Sequence, residues 1–147
     1  MFEVLIKPVR ENFIMPVRAY GEAAAFDAYA CEREIIINEA LNMTIVKYYL
    51  GFALQPPPNM KVKLSARSSV YKTGLILANG VGLGDPDYRG EYQAIFYALG
   101  RLEKIYDVGE RVCQIEFEMI TPIKLHQVVL LGETERGEGG FGSSGNT

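Results

Sequence analysis

Apolar and polar positions alternate along most of this chain in short runs, and glycine, proline, asparagine or aspartate cuts each run before it grows long. Runs rich in Val, Ile, Tyr and Phe predict strands at Phe2–Lys7, Ile35–Ile37, Thr44–Leu54, Lys61–Leu64, Gly74–Ala78, Tyr92–Leu99, Val112–Met119 and Val128–Leu131. Many short strands with turn signals between them predict an all-β sandwich or barrel. Pro56–Pro58 forces an irregular turn between two of them, because proline has no N–H for a ladder. In Val112–Met119 the pattern is specific: Cys113, Ile115, Phe117 and Met119 share one face, and Gln114, Glu116 and Glu118 share the other. Gln114 is therefore turned away from the apolar side. The exception to the strand pattern is Glu22–Glu34, whose alanines and charges read as a helix on propensity alone.

Composition narrows the class. A chain of 147 residues, 48% hydrophobic, supports one core and one domain. A formal net charge of −3 argues against a protein that grips nucleic acid through its phosphates, so phosphate binding has to be local. The start of the chain does not resemble a signal peptide, and no apolar run approaches the roughly 18 residues that span a bilayer. A soluble, cytoplasmic protein without a membrane partner is expected.

Cys31 and Cys113 stand far apart without a CxxC or Cys/His pattern, which predicts reduced, packed thiols rather than zinc or a disulfide. His126 is the only histidine. A His-dependent nucleophile system or a dedicated transition-metal site therefore has too few parts. Any chemistry falls to carboxylates, arginines and a hard cation.

Four segments carry candidate chemistry, each with an ordinary alternative. The end of the chain, Arg136-Gly-Glu-Gly-Gly-Phe-Gly-Ser-Ser-Gly-Asn-Thr147, has five glycines in its last eleven residues. Gly137 to Gly142 matches GxGxxG, but only five residues follow and no βαβ unit is possible. It reads either as a frayed end or as an arm in which an Arg meets phosphate, glycine N–H groups approach anionic oxygens and a Phe stacks on a base. Gly82–Gly90, with Asp85-Pro-Asp-Tyr-Arg inside it, reads as a turn or as a site loop. Ala66-Arg67-Ser68-Ser69 is a strand end, or a phosphate cradle if the next residues turn helically. Asp27 lies in an Ala-rich stretch and passes for a turn or cap residue.

Together and in this order the segments resemble the five motifs of the trimeric dUTPases, over nearly the whole chain. Ala24-Ala-Phe-Asp-Ala-Tyr-Ala30 is similar to AGxDLxA, and Ala66-Arg-Ser-Ser-Val70 to PRSGL. Asn79 and Gly82 through Asp85-Pro-Asp-Tyr-Arg-Gly90 resemble GVIDxxYRG, and Gly109-Glu-Arg-Val-Cys-Gln114 resembles GDRIAQ. The end, from Arg136 to Gly145, is close to RGSGGFGSTG and is the most specific of the five.

The resemblance implies a jelly-roll-like all-β fold, with a β-domain over residues 1–135 and a flexible arm over 136–147. It overrules the helix at Glu22–Glu34, because the first motif lies on strand and loop. It implies a homotrimer whose sites are shared, one chain's arm closing over a site built by the others. The implied reaction is Mg²⁺-assisted hydrolysis of dUTP to dUMP and pyrophosphate. By motif match Asp85 orients and activates water for attack at the α-phosphorus, and Asp27 organises Mg²⁺ through water. Arg67, Ser68, Ser69 and Gln114 match phosphate contacts. Tyr88 lies against the deoxyribose, and Asn79 with the backbone near Gly82 reads the uracil edge. Arg136, Gly140, Gly142 and Ser143 bind the terminal phosphates, and Phe141 stacks over the base.

The sequence departs from the motifs at Ala66, Ser69, Gly84, Glu110, Glu138 and Ser144. Gly84 is expected to loosen the loop that holds Asp85, and Glu138 adds negative charge near the phosphates. Both point to turnover below the family norm. Two rivals share the fold: a dCTP deaminase-like enzyme, and a catalytically weakened trimeric regulatory protein. The arm and Asp85-x-x-Tyr88 favour the uracil-specific hydrolase over both.

Overall fold

The computed structural model describes residues 2–100 and 102–140. It is an all-β, jelly-roll-like arrangement of ten antiparallel strands: β1 (Leu5–Pro8), β2 (Phe26–Tyr29), β3 (Glu32–Asn38), β4 (Met43–Tyr49), β5 (Phe52–Gln55), β6 (Met60–Ala66), β7 (Leu75–Leu77), β8 (Gly82–Gly84), β9 (Gln93–Ala98) and β10 (Arg111–Met119). One four-stranded sheet runs β2-β10-β6-β8, a second runs β3-β4-β9-β7, and β1 pairs with β5. Among the described residues helix is confined to short 3₁₀ turns, and no helix is long and apolar enough to cross a membrane.

Period-2 alternation builds the core between the two four-stranded sheets. Val46 and Tyr48 of β4, Ala94 and Phe96 of β9, Val62 and Leu64 of β6, and Cys113 and Ile115 of β10 are buried. Their strand neighbours Lys63, Gln114, Glu116 and Glu118 are only partly covered, and Lys63 pairs with Glu116 and Glu118 across β6 and β10. An amphipathic strand buried on one face has only one register that covers its apolar set. Tyr48 is the centre of the second sheet's packing. Its ring meets Phe96 and Tyr106 edge-on, and its hydroxyl donates to the Tyr106 carbonyl at 2.9 Å.

The structure departs from the sequence pattern in four places, the smallest being Gly82–Gly84, which is a strand paired with β6 rather than part of a turn. The run Thr44–Leu54 is two strands, because the chain turns at Leu50–Gly51, with Gly51 at a φ of +75°, and passes from the second sheet to β1. Glu22–Glu34 forms no helix. Its Phe26–Tyr29 pairs with β10, and Asp27 bridges Val17, so sheet pairing overrides alanine's helix propensity. Val128–Leu131 is not a strand. Val129, Leu130 and Leu131 are 98%, 85% and 87% exposed, and Ile120–Gly140 carries no strand and pairs with no strand among the described residues. The turn at Pro56–Pro58 is present and closes on β6 through Met60 N–H to Pro57 O at 3.2 Å. Both cysteines are free and buried, as expected.

Burial pushes the phenols of Tyr48 and Tyr92 up to about 12. An unfolded tyrosine ionises near about 10, so the fold favours the protonated form. A raised folded pKa contributes stability that is complete below the unfolded pKa and is lost as pH rises through the folded one. Stability is therefore expected to fall between about pH 10 and 12, with two tyrosines ionising only as the chain unfolds. Tyrosinate absorbance followed beside circular dichroism checks this. Ionisation of all nine tyrosines before any loss of structure contradicts it.

Candidate active site

The sheet β2-β10-β6-β8 sets four of the five sequence segments side by side. Asp27 lies on β2, Gln114 on β10, Arg67 just past β6, and Gly82 on β8 with Asp85 just beyond it. Register aligns them: Asp27 faces Gln114, Gln114 faces Ser65, and Leu64 faces Gly82. Segments far apart in sequence thus converge through ladder pairing of one sheet.

Asp27 is the buried charge of this sheet, 3% exposed. Arg111 donates from Nη1 to Oδ2 at 3.1 Å, Gln114 donates from Nε2 to Oδ1 at 3.2 Å, and Arg67 Nε lies 3.4 Å from Oδ1. Arg67 also donates from Nη1 to the Arg111 carbonyl at 3.1 Å. A buried carboxylate is costly unless paired and hydrogen-bonded, and here three donors meet it. Two guanidiniums against one carboxylate leave a local positive surplus in a chain of net charge −3. That is the local condition phosphate recognition requires. Arg67 caps the 3₁₀ turn Ser68–Lys72, so the helical turn after the strand is present, with Ser68 exposed and Ser69 half-buried.

A second feature is a cleft of about 260 Å³ lined by Asn79, Gly82, Leu83, Gly84, Asp85 and Tyr88 with Leu64, Glu91, Tyr92 and Gln93. Asp85 opens a turn, and Tyr88 N–H donates to the Asp85 carbonyl at 3.1 Å. Arg89 donates from Nη1 to Pro86 O at 2.8 Å and Tyr88 O at 3.0 Å, closing the loop from inside. Tyr88 folds back over Gly90, where a Cβ would come within 2.9 Å of Tyr88 Cε2 and nearer still to Cζ and the hydroxyl. Its hydroxyl donates to Glu91 O at 3.2 Å. Glu91 is the anchor of the loop: it accepts from Gly51 N–H at 3.0 Å and from Arg10 Nη2 at 2.9 Å. Arg10 also pairs with Glu32 and lies over the Tyr49 ring.

Thus Asp27, Arg67 and Gln114 meet in one cluster, and Asn79, Gly82, Asp85 and Tyr88 meet in one cleft. Arg136 joins neither and donates from Nε to Gly139 O at 2.8 Å within its own turn, next to Gly140. Phe141, Gly142 and Ser143 lie outside the described residues. Sequence reasoning passed over Arg111, Glu91 and Tyr92. Arg111 stands inside the fourth segment, and the signal was its charge at the mouth of a strand. Gly84 is the buried last residue of β8, paired with Val62, one position before Asp85.

Among the described residues no three His, Cys, Asp or Glu side chains converge to hold a metal. Asp27 has both oxygens engaged by nitrogen donors, so direct protein ligation of a hard cation does not fit. A cation held by phosphate oxygens and water needs no such cage.

The dUTPase family model matches residues 11–145. The deoxyuridine 5′-triphosphate nucleotidohydrolase of Clostridium kluyveri is 33% identical over 144 residues, 97% of this chain and 98% of the relative. The dUTPase of Staphylococcus bacteriophage 80alpha, solved with dUPNHPP, is 25% identical at a TM-score of 0.80, covering 98% of this chain and 99% of that one. The dUTPase of phage phi11 of S. aureus shares the fold at a TM-score of 0.74 and 18% identity, covering 89% of this chain and 99% of that one; its structure reveals the coordination of a structural Mg(II) ion.

Removing the buried carboxylate is expected to cost more than removing the more exposed of its partners. Asp27→Ala leaves two guanidiniums facing each other and should lose about 2–3 kcal/mol, whereas Arg111→Met should lose about 1 kcal/mol or less. Urea unfolding of both variants ranks them. Equal losses would show that Asp27 is not the hub.

Proposed function

The chain belongs to the dUTPase family, and from that membership and the resemblance of its motif residues we propose that it hydrolyses dUTP to dUMP and pyrophosphate. This would keep dUTP out of DNA synthesis and supply dUMP. The observation that carries the reading is the sheet order β2-β10-β6-β8, which gathers a positive cluster and a nucleoside-sized cleft on neighbouring strands.

In this reading the base and sugar enter the cleft of one subunit and the phosphates run toward an Arg67, Arg111 and Gln114 cluster, the site being shared between chains of the trimer. Asn79 and the backbone near Gly82 read the uracil edge, and Tyr88 closes on the deoxyribose face where a 2′-hydroxyl would collide. Asp85 takes a proton from water as the water oxygen attacks the α-phosphorus. The bond from that phosphorus to the bridging oxygen breaks and pyrophosphate leaves. Arg67 and Gln114, with Ser68 and Ser69, hold the phosphate oxygens as charge shifts among them. Asp27 orients these groups, because its oxygens accept from Arg111 and Gln114 and pair with the Arg67 guanidinium, whose Nε lies 3.4 Å away. Positioning and fixed charge supply most of the catalysis in such a site.

Mg²⁺, when bound with the substrate, would neutralise charge on the triphosphate, held by phosphate oxygens and water. Whatever Asp27 contributes to that ion passes through water. Arg136, Gly140, Phe141, Gly142 and Ser143 belong to an arm that binds the terminal phosphates and covers the base. Arg136 spends its Nε on Gly139 O within its own turn rather than on this chain's cluster, which fits an arm delivered to another subunit's site in a homotrimer. The exposed Ile123, Leu125 and Val128–Leu131 give that assembly apolar surface to bury. Buried, reduced Cys31 and Cys113 fit a cytoplasmic setting.

Pyrophosphate release should be fast with dUTP and poor with UTP, dTTP and dCTP, and Asp85→Asn should lower turnover roughly 10²–10⁴-fold without unfolding the protein. Coupled phosphate detection across the four nucleotides checks the first and single-turnover kinetics the second. Comparable rates on all four, or near-native turnover in folded Asp85→Asn, sinks the assignment. Deleting residues 136–147 should leave the melting temperature nearly unchanged and cut turnover on the order of 10³-fold. Retained turnover in the deleted chain contradicts the role given to the arm.

A further inference from the structure

Tyr92 combines burial, rigidity and an unpaired polar group at the edge of the cleft. It is 6% exposed, and its hydroxyl is buried without a hydrogen-bond partner among the described residues. Buried phenols ordinarily find a partner, and an orphan at a functional site calls for an explanation. The ring stacks on Phe52 with centroids 5.8 Å apart and meets Tyr88 edge-on at 5.5 Å. Its backbone is bonded on both sides, N–H to Phe52 O at 2.9 Å and carbonyl from Leu50 N–H at 3.1 Å. The residue has little freedom to swing away.

The neighbour of this ring is Gly84. A Cβ there would come within 2.9 Å of Tyr92 Cε1 and Cζ and nearer still to the hydroxyl. Tyr92 thus takes the volume that an apolar side chain at position 84 would fill. The exchange is not neutral: it brings a phenol hydroxyl under the backbone that leads directly into Asp85. Phenylalanine would fill most of the same space without burying an unpaired hydroxyl.

The phenol stays protonated at neutral pH and is available as a donor, since burial pushes it up to about 12. Asp85 and Glu91 are the two carboxylates that line the cleft with Tyr92, and Asp85 directly follows Gly84. Glu91, the other carboxylate of the cleft, is already held by Arg10 and by Gly51 N–H.

We propose that Tyr92 is a positioning residue whose hydroxyl donates to the Asp85 carboxylate when a nucleotide fills the cleft, keeping that carboxylate aimed at the attacking water. The inference rests on the dUTP-hydrolysing reading of the cleft. It turns the departure at Gly84 from a weakness of the Asp85 loop into one half of a Gly84–Tyr92 exchange.

The test is Tyr92→Phe, which keeps the ring and its stacking. Its melting temperature should equal or exceed the native one, because an unpaired buried hydroxyl is removed. Turnover of dUTP should fall about tenfold with KM little changed, the scale of a lost hydrogen bond to a charged group. The acid limb of the kcat profile should move up, as a carboxylate without its donor becomes easier to protonate. Native turnover and an unmoved acid limb in Tyr92→Phe overturn the proposal. Carboxyl-carbon NMR titration of Asp85 with dUpNHpp bound reads the same hydrogen bond without turnover, and equal Asp85 values in the two proteins overturn it as well. Failure of the native protein to release pyrophosphate from dUTP would instead count against the underlying reading.

Discussion

A carboxylate removed from water has to be met by donors, and the arrangement that meets Asp27 governs the rest of this site. Arg111, Gln114 and Arg67 reach it from two different strand segments. Each donor is fixed by the carboxylate that it neutralises. The surplus of one positive charge then faces outward from a sheet rather than from a mobile loop. Such a cluster contributes less to net stability than its close contacts suggest, because desolvation offsets the attraction. Its larger effect is orientation: two guanidinium planes and an amide are held ready before any anion arrives.

The same economy recurs at the cleft. The Asp85–Gly90 loop is exposed, yet it is pinned from within by Arg89 and from behind by Glu91. Glu91 draws on Arg10, near the start of the chain, and on Gly51, where the chain passes between sheets. An aromatic series continues the support: Phe13 packs edge-on against Phe52, Phe52 stacks on Tyr92, and Tyr92 meets Tyr88. The position of Tyr88 therefore depends on core packing several residues away. A shift at Phe52 would be felt at the sugar face of the cleft, since close-packed interiors transmit displacement.

Much of this was legible in the sequence, and for physical reasons. Alternation in Val112–Met119 gave the face of Gln114, because a strand has a strict period of two. The spacing of turn residues gave the all-β class and most strands. Propensity misread Glu22–Glu34, since local preference is weak beside the pairing of Phe26–Tyr29 with β10. Hydropathy misread Val128–Leu131, whose apolar residues pair with no strand among the described residues. The roles of Arg111 and Glu91 were hidden because they exist only across sequence distance, 84 residues from Arg111 to Asp27 and 81 from Arg10 to Glu91. Gly84 looked like a defect in a loop until Tyr92 was seen to occupy its space.

The central claim is that Asp27 acts on phosphate binding through Arg67 and not as a separate contact. A double-mutant cycle with Asp27→Asn and Arg67→Met, reading the affinity for dUpNHpp by calorimetry, tests it most directly. If Asp27 works by orienting Arg67, the second substitution should cost little once the first is made, giving a coupling of about 1–2 kcal/mol. Losses that add within about 0.5 kcal/mol would show that the two residues act independently and that the buried cluster does not organise the site.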